Sequence, residues 1–320
     1  MKTLEQLKRE FYDALISHGV SEKESNDTAE IFTSNAADGV LSHSVRRFPR
    51  LLKNIEDGIV KPGIMPVLVS SFSALERYDA GCGIGTTSAS FAMQRACELA
   101  VRYGIGAVAL KNANHWMRAG YYGLLAAKNG MVGICWTNTM PNMCAWGTAE
   151  AVVGNNPFVI AVPRANGKHF IFDSSQAQFS YGKLEEYRLK NKDLPVDGGY
   201  DSEFRLTRNA AEIEKTRRVL PAGFWKGSSM SILLDAAVTM LSDGQSVNMI
   251  GKNGNAETGL SQFFIAINPE VLGSENWEEK AKQIEESLHN ATPMWDNPAR
   301  YPGERAFYTR KKSQTEGIDL

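Results

Sequence analysis

No run of about 18 apolar residues occurs in the 320-residue chain, so no segment reads as a membrane-spanning helix. The N-terminal stretch MKTLEQLKREFYDALISHG is charged and amphipathic. It lacks a continuous apolar region and does not read as a secretory signal. Neither sign of charge dominates: 35 Lys and Arg stand against 36 Asp and Glu, a net charge of −1. A general attraction to nucleic acid or to an anionic membrane is therefore not expected. Cysteines number only four, Cys82, Cys97, Cys135 and Cys144, and none forms a C-x-x-C pair. They are expected to be reduced packing residues of a cytoplasmic protein. The histidines are scattered without carboxylates at ligand spacing, so no metal site is expected.

Nucleotide-binding loops of the common kinds are also missing. In DAGCGIGTT the glycines are Gly81, Gly83 and Gly85, and Thr86 stands where G-x-G-x-x-G needs its third glycine. In RYGIGAVAL the glycines precede the apolar run instead of following it. There is no P-loop and no G-x-S-x-G elbow. A nucleotide, if bound, is held by another route.

What remains is an ordinary globular composition, 43% hydrophobic and 22% charged. The first 60 residues have helical spacing: Leu4, Leu7, Phe11, Leu15 and Ile16 share a face, and Ser21 and Glu24 have capping-box spacing. A third helix is predicted from Phe48 to Asp57, with Pro49 in its first turn. From about residue 65, apolar strands alternate with helices, which argues an α/β core. AVVGNNPFVIAVP and KHFIFDSS read as strands, the residues after 176 as polar turns, and Ser228 to Ser242 as a helix. GLSQFFIAINP reads as a strand returning to the core, WEEKAKQIEESLHNA as an amphipathic helix, and the end as a polar tail. The expected division is a helical segment 1–70 and an α/β core 71–225 that regains a strand near 259–272. Helical segments 226–258 and 273–320 complete it.

Three places carry candidate chemistry. LSHSVRRFPR sets His43 beside Arg47 and Arg50. A guanidinium can grip a carboxylate with two donors, and a neighbouring imidazole can hand a proton to oxygen on the next carbon. That pairing suits reduction of a 2-oxo acid. The same residues also fit an exposed histidine on a solvated basic face. NANHWMRAG places His115 at the C-terminal end of a predicted strand, where α/β sheets commonly bind ligands. A loop histidine bonded to backbone fits equally well. In GFWKGSSMSILLDAAVTML, Trp225 and Lys226 precede serines that open a helix, a fit for a phosphate or carboxylate. A plain N-cap with a solvated lysine is the alternative.

Taken in order, LSHSVRRFPR, NANHWMRAG, GICWTNT, FSYGKLE, LPVDGGYD and GFWKGSSMSILLDAAVTMLSDG resemble the type-2 malate/L-lactate dehydrogenase family. The likeness runs from the first helix to about residue 306. It implies a non-Rossmann nicotinamide-binding α/β core with a mixed sheet, interleaved with a helical domain. It also implies a homodimer with NADH in a cleft near the subunit interface, NADPH being the alternative. His43 matches the proton donor, and Ser42 and Arg47 match substrate-binding neighbours, with Arg50 and His115 as further candidates. His169, Phe170, Ile171, Phe172, Asp173, Ser174 and Ser175 match cofactor-contacting positions. So do Trp225, Lys226, Gly303, Glu304 and Arg305. Two departures stand out. Ser44 replaces a usual glycine, which would narrow the site or shift its loop, and Phe204 stands where a glycine is common.

The implied activity is NADH-dependent reduction of a 2-oxo sugar acid. Other small 2-oxo acids of malate, lactate or ureidoglycolate type, or a cyclic imino acid, are the alternatives. A binding protein that holds a sugar acid without turning it over would keep Arg47 and Lys226 but would not need a titratable His43.

Overall fold

The computed structural model describes residues 1–252, 256–273, 275–294 and 298–319. Three helices lead: α1 (Leu4–Ser17), α2 (Glu22–Ala37) and, after a single 3-10 turn at Leu41–His43, α3 (Phe48–Glu56). On α1, Leu7, Phe11 and Leu15 are buried, as the period requires, whereas Ile16 lies exposed at the edge of the stripe. Phe11, Phe32 and Phe48 form a triad with ring centroids 4.5–5.5 Å apart, one ring from each helix. Such offset and tilted pairs are the favoured arrangement, and removing one buried ring typically costs ~3–5 kcal/mol. Because Phe48 follows Arg47 directly, the triad also anchors the loop carrying His43. The capping box forms at Thr3 and Gln6, not at Ser21. Ser21 does cap α2, but the Glu24 carboxylate accepts from the Gly63 N–H instead of returning to the cap backbone.

The sheet begins with β1 (Val67–Phe72) and β2 (Leu75–Asp79). A crossover through α4 (Gly85–Tyr103) leads to β3 (Ile105–Asn114), parallel to β2. Then come α5 (Gly120–Lys128), β4 (Val132–Thr137), the short ribbon of β5 (Met143–Cys144) and β6 (Ala151–Val153), β7 (Phe158–Val162) and β8 (Phe170–Ser174). AVVGNNPFVIAVP is thus two strands in two sheets, split at Gly154–Pro157. Residues after 176 are not merely turns. They build α6 (Tyr181–Leu189), β9 (Gly199–Tyr200), β10 (Leu206–Thr207) and α7 (Ala210–Thr216) around a small core of Leu184, Leu194, Ile213 and Val219. Those apolar residues are too far apart in sequence to show a period.

Helix α8 (Trp225–Ser242) lies across one face of the sheet, and α4 and α5 cover the other. After α9 (Val247–Ile250), β11 (Thr258–Ile267) inserts between β3 and β4, antiparallel to both. The seven-stranded order is β1-β2-β3-β11-β4-β7-β8. Helix α10 (Trp277–His289) follows, and the expected polar tail is a further helix, α11 (Glu304–Glu316). A bridge between Lys2 and Ile318 ties the end of that helix back to α1. Among the described residues no helix is long and apolar enough to cross a membrane. Cys97, Cys135 and Cys144 are buried and Cys82 is half-buried; all four are free.

Phe204 adopts φ +62°, in the left-handed region that favours glycine. That conformation costs about 1–2 kcal/mol for a residue with a side chain. The Arg218 guanidinium sits 4.0 Å over the Phe204 ring and offsets part of this cost.

Candidate active site

A cleft of about 760 Å³ opens where the 3-10 turn, the end of β3, β8, α6 and the start of α11 converge. His43 and His115 meet there with ring centroids 6.0 Å apart and planes 21° from parallel. The His43 loop is held from behind by main-chain and hydroxyl contacts. Asn35 Nδ2 donates to the His43 carbonyl at 3.1 Å, and Ser44 Oγ donates to the Phe32 carbonyl at 2.6 Å. Ser44 is fully buried against α2, so it fastens the loop and does not narrow the cleft. Ser42 Oγ lies 3.1 Å from His43 Nδ1. Nε2 of His43 has no protein partner among the described residues. Helix α6 leans on this loop so closely that a Cβ at Gly182 would lie 2.9 Å from Ser42 Cβ.

His115 is fixed by its own turn: the Met117 N–H donates to Nδ1 at 3.0 Å. The neutral ring therefore carries its proton on Nε2. Burial holds the His115 pKa well below the usual histidine range, and Arg47 and His43 push the same way. The two imidazoles thus differ: His115 is a fixed neutral donor, whereas His43 has a free ring nitrogen. His43 is itself lowered to about 4, mainly by burial; Asp173 opposes the shift, and Arg47 and Arg118 add to it.

Arg47 is not a free cation. Its Nη2 donates to Glu257 Oε2 at 3.1 Å, and both groups line the cleft. Arg118 contacts Asp38 through Nη1 and Asp173 through Nε at 3.5 Å, while Arg310 Nε holds the second Asp38 oxygen at 2.6 Å. Around the histidines, Arg47, Arg118 and Arg310 are therefore matched by Glu257, Asp38 and Asp173.

Strand alternation divides the β8 expectation in two. Ile171, Asp173 and Ser175 line the cleft. Phe172 points to the other face and is 47% exposed, Phe170 packs on Tyr301 and Trp277, and Ser174 bonds to the Ser175 carbonyl. His169 is turned to its own hairpin, its Nδ1 accepting from the Arg164 N–H at 3.0 Å. Gly303, at φ +98°, lets α11 start against β8; a Cβ there would lie 3.1 Å from the His169 carbonyl oxygen. Arg305 lines the cleft. Glu304 does not: it is buried against His289, 3.0 Å from Nε2, and accepts from the Tyr301 N–H. Arg50 lies exposed beside a small adjoining void, and Trp225 and Lys226 are exposed at the start of α8, outside the cleft.

Arg118, Asp38, Glu257 and Tyr301 join the cleft without any role expected from the sequence. Arg118 was visible within NHWMRAG, three residues after His115. Asp38 and Glu257 pair across long stretches of chain and leave no local pattern, whereas Tyr301 stands three residues before Glu304, which accepts from its N–H.

The two depressed histidines give the free protein a defined acid response. Above about pH 6.5 they are neutral in both folded and unfolded chains. As the pH falls from there toward 4, the unfolded chain takes up protons that folded His43 and His115 refuse, so stability is lost. The loss is at most ~1.4 kcal/mol per pH unit for each histidine. Thermal melting of the free protein at pH 7, 6, 5 and 4 checks this. His43→Gln is expected to flatten the dependence by up to half, and an equally steep curve in the variant would remove His43 from it.

The malate/L-lactate dehydrogenase family profile matches residues 3–320. A 2,3-diketo-L-gulonate reductase of Escherichia coli O139:H28 is 43% identical over 320 residues, covering 99% of this chain and 96% of that protein. Sulfolactate dehydrogenase from Methanocaldococcus jannaschii has a similar structure, with a TM-score of 0.89, 28% identity, and 99% and 92% of the two chains covered. Malate dehydrogenase from Entamoeba histolytica shares the fold at a TM-score of 0.93 and 24% identity, over 100% and 93%. With its mixed sheet and its paired histidines in one cleft, this chain is an oxidoreductase that belongs to the malate/L-lactate dehydrogenase family.

Proposed function

We propose that the chain reduces a small 2-oxo acid with a nicotinamide cofactor. By similarity to the 43% identical reductase, the reaction is 2,3-diketo-L-gulonate to 3-keto-L-gulonate. The observation that carries this reading is the pairing of His43 and His115 beside Arg47 in a cleft whose other wall is β8 and α11.

The residues along that wall fit a dinucleotide. Helix α11 starts at Gly303, which brings no side-chain cap; the Glu304 N–H donates to the Tyr301 carbonyl, and the N–H groups of Arg305 and Ala306 suit a phosphate. Arg305 stands on the same turn. The Tyr301 hydroxyl and Asn142 Oδ1 are buried polar atoms without protein partners among the described residues, and both residues line the cleft. These groups, with Asp173 and Ser175, would hold the cofactor, and the chemistry a reduced nicotinamide supplies when bound is a hydride. NADH is the proposed form.

The chain's own residues do the rest. Arg47 holds the substrate carboxylate through its unused guanidinium edge, and Ser42 assists. The neutral His115 donates from Nε2 to a substrate oxygen. His43 delivers a proton from Nε2 to the carbonyl oxygen; this proton, with the hydride that a bound reduced nicotinamide would supply to the carbonyl carbon, converts the ketone to the 2-hydroxy acid. Burial favours neutral His43, which makes its protonated form a strong donor; the carboxylate entering beside it restores proton affinity. The test is loss of NADH absorbance across a panel of 2-oxo acids that includes sugar acids, oxaloacetate and pyruvate. No oxidation with any of them would leave the sugar-acid binding protein as the better reading.

We also propose a homodimer in a reducing, cytoplasmic setting. Trp225, Lys226, Ile232, Leu233 and Met240 all lie on the outward face of α8, with Leu233 65% and Met240 73% exposed. Ile160 and Phe172 continue that apolar surface onto the sheet. A patch of this kind marks an interface, and a second copy seated there would carry Lys226 toward a cofactor site. Lys226→Ala is then expected to raise the NADH dissociation constant more than it lowers kcat at saturation, because a phosphate contact acts in ground and transition states alike. Fluorescence titration of NADH checks it, and unchanged binding would make Lys226 a solvated lysine.

A further inference from the structure

Arg47 and Glu257 make an ion pair of an unusual placement for a substrate anchor. The contact is through one nitrogen only, Nη2 to Oε2 at 3.1 Å. Nη1 and Nε of Arg47 have no protein partner among the described residues. The side chains are 28% and 10% exposed, so this charge pair is poorly screened by water. Glu257 is held in place by its chain neighbour. Thr258 pairs with Asn114 in the β11–β3 ladder, and its Oγ1 donates to Asn114 Oδ1 at 2.7 Å. Asn114 immediately precedes His115. Glu257 is thus a fixed negative charge at the floor of the substrate end.

The second buried cation beside the histidines is balanced too, Arg118 by Asp38 and Asp173. The arginines without a described partner, Arg46, Arg300 and Arg305 in the cleft and Arg50 at the adjoining void, are all exposed, Arg305 at the α11 end. Beside the buried histidines the substrate end therefore offers one part-buried guanidinium edge for one carboxylate, and the unpaired arginines around it are solvent-exposed. A second carboxylate near the reacting carbon would meet Glu257 or Asp173 in a site of low dielectric, where like charges a few ångströms apart repel by kilocalories.

We propose that Glu257 is a specificity-determining residue that fits the cleft to 2-oxo acids with a single carboxylate and sets it against dicarboxylates. It acts by occupying one amino group of Arg47 and cancelling its charge. This rests on the 2-oxo acid reductase reading above.

The experiment compares kcat/KM for oxaloacetate and for pyruvate, with NADH, in the wild type, Glu257→Gln and Glu257→Asp. Glutamine keeps the shape and can still accept from Arg47, but it lacks the charge. The oxaloacetate-to-pyruvate ratio is expected to rise on the order of tenfold in Glu257→Gln and to stay within about threefold of wild type in Glu257→Asp. A ratio in Glu257→Gln within about threefold of wild type, with both substrates falling together, overturns the assignment and makes Glu257 structural. The wild type alone gives a second measurement that needs no variant. Oxamate, with one carboxylate, is expected to inhibit about tenfold more tightly than tartronate, with two; equal or reversed inhibition also overturns it. A wild type that oxidises NADH with no 2-oxo acid sinks the functional reading and this assignment with it. An active wild type with an unchanged ratio sinks the assignment alone.

Discussion

His43→Gln is expected to lower kcat by roughly 10²–10⁴ while leaving the fold and NADH affinity nearly intact, the usual consequence of losing a general acid. The side chain is separable from the loop that carries it. Asn35 grips the His43 carbonyl, Ser44 grips Phe32, and the phenylalanine triad holds the base of α3. None of these contacts uses the imidazole. Glutamine can replace the contact with Ser42, but it cannot release a proton. Steady-state kinetics with saturating NADH measure the effect. Turnover above about a third of wild type would take His43 out of the proton-donor role and turn attention to His115.

Arg47→Lys is expected to be severe for a residue exchange that keeps the charge. Lysine loses the planar fork. It also faces a choice that arginine avoids, because one ammonium must serve either Glu257 or a substrate carboxylate, whereas the guanidinium meets Glu257 through Nη2 alone and keeps its other nitrogens for a second partner. A charge-assisted contact is worth ~1.5–3 kcal/mol, so kcat/KM should fall roughly 10–150-fold. A methyl ester of the 2-oxo acid should be a poor substrate for wild type, and the acid-to-ester preference should shrink in Arg47→Lys. Arg50→Lys is the control. Arg50 lies exposed outside the main cleft and should behave nearly as wild type. If Arg47→Lys keeps the full preference for the acid, the carboxylate is held elsewhere, and His115 is the next group to test.

How much of this was legible before the fold depends on how far apart the cooperating residues lie. The stripe of Leu7, Phe11 and Leu15 declares α1 because the helix period brings them together locally. Ser42, His43 and Arg47 were legible because one short loop holds them all. The two helices at Tyr181–Leu189 and Ala210–Thr216 were not, since Leu184 finds Ile213 and Val219 only after the chain doubles back. Likewise the matching of Arg47 with Glu257, 210 residues away, and of Arg118 with Asp38, 80 residues away, has no trace in either local sequence. For β8 the sequence placed the strand but not its facing. Seven consecutive residues were expected at the cofactor, and alternation leaves three of them on the cleft.

Strand β11 has a consequence for the order in which the molecule can be made. It lies between β3 and β4 and pairs with both, yet the ribosome adds it about 120 residues after β4. Until Ile267 has emerged, β3 and β4 each carry an unpaired apolar edge, and the turn bearing His115 has no Thr258 to brace Asn114. The nascent chain must therefore keep two half-sheets apart and soluble while it waits, a condition in which open strand edges invite mispairing and chaperone capture. The same late strand delivers Glu257 to Arg47, so the sheet closes and the cleft's arginine gains its counter-ion in a single event.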